Sequence, residues 1–121
     1  MSFGQSISKC FSNYANFNGR AGRPEFWWFA LFVWVVQLVA NGLLSVTLGN
    51  SSTLYNILVL IIGVALLIPF YAAGSRRMHD TGQSGWFQLL VLIPCVGIII
   101  MIVLWAKEGD AAENQYGAPP A

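Results

Sequence analysis

Residues 86–106 read WFQLLVLIPCVGIIIMIVLWA. The stretch has twenty-one residues and no charge. As one α-helix rising about 1.5 Å per residue, it would cross the ~30 Å hydrocarbon core of a bilayer. Pro94 and Gly97 interrupt it. A re-entrant dip there would leave halves of about 8–10 residues, ~12–15 Å each, neither long enough to cross. Proline is tolerated in a transmembrane helix when neighbours satisfy the freed carbonyl, so the stretch reads as one kinked crossing. A dip instead of a crossing would return the C-terminal tail to the side from which the segment entered.

The rest of the chain supports a membrane setting. Apolar residues make up 56% of its 121 residues and charged residues 9%, against about 25% charged in ordinary soluble domains. That is too little polar material to coat a soluble fold, and the length allows one domain. Two further apolar stretches, 26–48 and 54–74, are each long enough to cross. Pro24 suits the first turn of the 26–48 helix, Glu25 complements its dipole, and Phe26, Trp27 and Trp28 suit the interface. The first long apolar run begins at Phe26, late for a cleaved leader, and the later segments favour a retained first helix. Ahead of it, residues 2–17 place Phe3, Ile7, Cys10, Phe11, Tyr14 and Phe17 at helical spacing, with Ser2 as a candidate cap. This predicts an amphipathic helix lying in the interface; the competing reading packs it on the bundle. The predicted fold is all-α, with three transmembrane helices after an interfacial helix and a flexible polar tail over 107–121.

Charge placement orients this layout. Lys9, Arg20 and Arg23 precede the first crossing, and Arg76 and Arg77 follow the second. Basic residues mark the cytoplasmic face, which puts the N-terminus inside and the tail, after three crossings, outside. Against Glu25 and Asp80, the inner face carries a formal +3. Cys10 at a surface and Cys95 near mid-bilayer lie farther apart than the roughly 7 Å between Cα atoms that a disulfide bridges. With one histidine and two cysteines the chain has no metal-ligand spacing, and no cofactor or nucleic-acid signature.

The densest charge lies in SRRMHDTGQSGWF, residues 75–87. Fifty uncharged residues precede Arg76 and twenty-six follow Asp80. This string joins GRAGRPEFWW (19–28) and ENQYG (113–117) in an order that resembles the bacterial inner-membrane family called domain of unknown function 805. The likeness runs over about residues 13–117. It rests on Gly19, Arg20, Arg23, Glu25 and Trp27, then Arg76, Arg77, His79, Asp80, Gly82, Gly85 and Trp86, then Asn114, Tyr116 and Gly117. Pro24 and Gln115 depart from the pattern, the latter where a basic residue is common. The resemblance implies a small polytopic protein of the cytoplasmic membrane and implies no reaction.

The cluster has a structural and a functional reading. Structurally, Arg76 and Arg77 close the second helix, Asp80 makes a turn, Gly82 takes positive φ and Ser84 caps the next helix. Functionally, Arg20, Arg23, Arg76 and Arg77 are candidates for an anion or lipid head-group site. Glu25, His79 and Asp80 are candidates for a polar network on the same face, with Glu25 pairing Arg76 or Arg77. Catalysis by His79 and Asp80 is the weaker idea, because no nucleophile or metal set accompanies them. Gln37, Asn41 and Ser45 recur every four residues on one face of the first crossing. They read as interhelical hydrogen-bond groups or, alternatively, as the lining of a solute or ion conduit in an oligomer. The leading expectation is a non-enzymatic interaction or membrane-organising protein that binds anionic lipid or a partner and can self-associate.

Overall fold

The computed structural model describes residues 2–120. Its helices are α1 (Phe3–Ser12), α2 (Arg23–Leu48), α3 (Thr53–Asp80) and α4 (Val96–Ala106), with a 3-10 helix over Gly85–Leu92. α2 and α3 form an antiparallel pair joined by a short turn. At about 1.5 Å per residue their 26 and 28 residues run ~39 and ~42 Å. Both are long and apolar enough to cross a bilayer, and only 6% and 28% of their most apolar windows are buried inside the protein. Core helices of a soluble protein would be buried; these expose large side chains such as Trp34, Leu43, Val46 and Leu60.

The third apolar segment does not form the predicted single crossing. The 3-10 helix runs down to Leu92, the chain reverses over 93–95, and α4 returns against it. At about 2.0 Å per residue the eight-residue 3-10 arm is ~16 Å long, and the eleven-residue α4 is about the same. Local chemistry makes the reversal. Pro94 donates no backbone hydrogen bond, and Val96 N–H bonds back to Pro94 O at 2.7 Å. Cys95, between them, is held at φ 62° and ψ −59°, close to the strained γ-turn geometry. Gly97 lets the arms close, because a Cβ there would overlap the Leu90 carbonyl.

α1 starts on a capping box between Ser2 and Gln5 and ends at Ser12, with Asn13 as its cap, about five residues before the predicted end. It packs on α2, the competing reading of the sequence. Ser6 and Cys10 face inward, the Ser6 hydroxyl donating to Glu25 O. Phe3 and Phe11 lie edge-on to Trp28 and Phe29, with ring centroids 5.7 and 5.4 Å apart. The core sits where α1, α2, α3 and α4 converge: Cys10, Phe26, Phe29, Ala73, Met78, Met101 and Trp105. Trp105, near the end of the third apolar stretch, is packed against Phe26 and Phe70.

Pro69 lies inside α3 and cannot bond the carbonyl four residues back. That carbonyl belongs to Ala65, and the Tyr14 hydroxyl donates to it. The loop after α1 thereby repairs the gap that proline leaves in α3.

Candidate functional site

Charged residues of the N-terminal segment, the end of α3 and the tail meet at one end of the molecule. α3 continues past its apolar stretch, which ends at Gly74, and carries Ser75–Asp80 as a buried polar turn. The loop 13–22 and α1 pack on one side of that turn, and residues 105–117 on the other.

Asp80 is the centre. One carboxylate oxygen lies 2.8 Å from Arg20 Nη2 and the other 2.6 Å from Arg77 Nη1. Arg77 is fully buried, and its guanidinium also donates to Trp105 O at 2.8 Å, Ala21 O at 3.3 Å and Lys107 O. Arg20 holds the tail: Nη2 donates to Asp110 O at 2.6 Å, and Nη1 to Ala112 O and Gly117 O at 3.0 and 3.1 Å. A second centre lies at Glu25, paired with buried Arg76 and with Lys9 at 3.1 Å. Burial and the neighbouring Glu25 push the Cys10 thiol up to about 11, so it stays protonated beside these charges.

His79 Nδ1 lies 2.9 Å from Gly19 O. A carbonyl only accepts, so Nδ1 carries the proton and Nε2 of the neutral ring is an acceptor. The Tyr116 ring stacks on His79 at 3.8 Å, nearly parallel, and Asn114 Nδ2 donates to His79 O at 3.0 Å. Burial lowers the His79 pKa from its ordinary 6.5, partly opposed by the bond to Gly19.

The expectations fare unevenly. Glu25 does pair with Arg76, Gly82 takes φ 77°, and the Ser84 hydroxyl accepts from Trp86 N at 3.3 Å. Asp80 does not make a side-chain turn; it is an ion-pair hub. Arg20, Arg76 and Arg77, expected to meet lipid phosphate, are buried and paired within the protein. Arg23 is exposed, with no ion pair among the described residues. The tail, expected to be flexible and on the opposite side, is bonded to the same end as Arg20 and His79. A Cβ at Gly109 would overlap the Asp80 carboxylate, so glycine is what admits the tail. All charged residues therefore share one end, six basic against five acidic, so that this end carries a formal +1 rather than the expected +3.

The stripe on α2 makes no interhelical hydrogen bond among the described residues. Asn41 Nδ2 donates to Gln37 O of its own helix at 2.7 Å, and Ser45 Oγ donates to Asn50 in the turn. Gln37 packs its amide beside Gly63 of α3. These bonds favour neither a conduit nor interhelical hydrogen bonding.

Beside the charged head lies a groove of about 880 Å³ between α3, the 3-10 helix and the loop after α1. Its polar end is formed by Asn18, Ser75, His79 and Ser84, under Tyr116. Its other end is apolar, with Leu67, Leu89 and Leu92. No charged residue lines it among the described residues. Sequence reasoning did not find this groove, since its walls are close in space only after the hairpin folds back.

The segments that build this head fall within the match to a known family. The model of the family described as "Protein of unknown function (DUF805)" matches residues 14–118. The chain belongs to this family. Among its relatives, "Inner membrane protein YhaH" of Escherichia coli (strain K12) is 40% identical over 113 residues, covering 93% of each chain. "Inner membrane protein YhaI" of the same strain is 35% identical over 108 residues, covering 89% of this chain and 88% of its own. No solved structure matches the chain significantly. Within the matched range, Arg20, Glu25, Arg76, Arg77, His79, Asp80, Asn114, Tyr116 and Gly117 are the residues that tie the head together here.

Proposed function

We propose that the chain is a non-enzymatic organiser of the bacterial inner membrane, built from two crossings, α2 and α3, and a hairpin that enters and leaves from the cytoplasmic side. The observation that carries this reading is the hairpin: arms of ~16 Å reach about halfway across a ~30 Å core. The cytoplasmic leaflet then accommodates α2, α3 and both arms, while the opposite leaflet accommodates two helices. A body wider in one leaflet rearranges the lipids around it without any reactive centre. All six Lys/Arg lie at one end, and the turn Gly49–Ser52 at the other end is uncharged, which supports the orientation. The location agrees with the names of the relatives.

This reading moves lipid contact away from a basic surface. Attraction to anionic lipid is worth ~1 kcal/mol per basic residue near the surface. Three of the four candidate arginines are buried in ion pairs and unavailable for it.

Reporter fusions after Ala121 and within Gly49–Ser52 test the layout. The expected result is activity only in the cytoplasm for the first and only outside it for the second. An Ala121 reporter active outside would restore three crossings and remove the asymmetry on which the reading rests.

A further inference from the structure

The groove beside the head has walls of two kinds. Leu67 lies twelve residues before His79 on α3, so at about 1.5 Å per residue the groove extends ~18 Å from the polar end into the apolar zone. Its volume lies within the range of sites that enclose a small ligand. An occupant must be polar at the end level with the head and apolar along the rest, which is how a lipid already stands in the bilayer.

Charge narrows the choice. No lysine or arginine lines the groove, and Arg20, Arg76 and Arg77 have their carboxylate partners elsewhere. A net anionic head would enter a half-buried site without a counter-ion, a costly placement. The polar atoms present are neutral. Ser75 Oγ donates to Phe17 O at 3.1 Å and so offers lone pairs. His79 Nδ1 is committed to Gly19 O, which leaves Nε2 as an acceptor without a partner among the described residues. Asn18 and Ser84 can donate to a head-group phosphate, while Ser75 Oγ and His79 Nε2 are acceptors that call for donors from the ligand.

We infer that the groove binds one membrane lipid whose head is net neutral and carries N–H or O–H donors, with the head at His79 and Ser75 and a chain along Leu67 and Leu89. The inference rests on the membrane layout proposed above and adds a ligand class to it.

The test is native mass spectrometry of the full chain released from vesicles of phosphatidylethanolamine, phosphatidylcholine and phosphatidylglycerol in equal parts. One retained phosphatidylethanolamine is expected, favoured about tenfold over each competitor, the equivalent of about 1.4 kcal/mol. Phosphatidylcholine is equally neutral but has no head-group donor, so its equal retention would overturn the donor assignment. Preference for phosphatidylglycerol would overturn the neutral-head assignment, and no retained lipid would overturn the site. Leu89→Trp, at an exposed wall position, fills the groove and abolishes retention, while Leu43→Trp on the outer face of α2 leaves it intact. His79→Phe keeps the stack on Tyr116 but removes one of the two acceptors, so retention persists and the preference over phosphatidylcholine shrinks. Retention unchanged in Leu89→Trp would place the lipid elsewhere and sink the proposal. The fusion experiment reads the layout separately: correct topology without lipid selectivity would remove this site alone.

Discussion

Asp80 pairs with two buried guanidinium groups. Arg20 and Arg77 approach opposite oxygens of its carboxylate, and each carries carbonyls of the C-terminal tail on its remaining donors. Removing one member of such a buried set leaves a charge uncompensated, at a cost of about 3–5 kcal/mol. Asp80→Asn is therefore expected to lower the unfolding midpoint in detergent and to open residues 107–117 to proteolysis. Lys9→Gln, which breaks an ion pair whose lysine is half-exposed, should cost under ~1 kcal/mol. Equal resistance to proteolysis in Asp80→Asn would show that the tail is held by something else. The sequence made part of this legible. Glu25 and Arg76 lie on one face of any helical layout, so their pairing could be foreseen. Arg20 with the 110–117 carbonyls, and His79 with Tyr116, could not. Their contacts span 37 to 97 positions in sequence and depend on which side the tail emerges.

At the scale of elements, the hairpin depends on three residues within four positions. Pro94 stops the 3-10 arm, Cys95 turns with positive φ, and Gly97 lets α4 touch Leu90. Adding one methyl group in Gly97→Ala forces the arms apart and should destabilise the fold by about 1–3 kcal/mol, as overpacking does. Cys95→Gly relieves a conformation that costs L-residues about 1–3 kcal/mol and should raise the thermal midpoint. A Gly97→Ala protein as stable as the parent would contradict the close contact of the arms. Hydropathy cannot see this turn. Both arms are uncharged and largely apolar, so a dip and a crossing score alike, and Pro94 with Gly97 is compatible with either. α1 was legible at its start, where Ser2 and Gln5 form the capping box, and not at its end, where the loop leaves to reach Ala65 behind Pro69.

For the whole molecule, docking of the tail is coupled to pH through His79. Its folded pKa is depressed by burial, so the folded state resists protonation more than the unfolded state does. Stability is then fully present above the ordinary histidine value of 6.5 and declines as pH falls below it, through the folded pKa. Between pH 7.5 and 5.5 the parent should lose stability and tail protection, while His79→Phe should show a flatter profile. Identical profiles would remove His79 from the coupling.

The gathering of every charge at one end also bears on how the chain is made. On the proposed layout only the turn between α2 and α3, Gly49-Asn50-Ser51-Ser52, has to be carried through the bilayer. It brings no charged side chain, each of which would cost about 2.5–3.5 kcal/mol at the centre of an inserting helix. α2 and α3 can enter together as a hairpin. The 85–106 arms can then sink in from the side where they were synthesised, and the tail carbonyls reach Arg20 and Arg77 last.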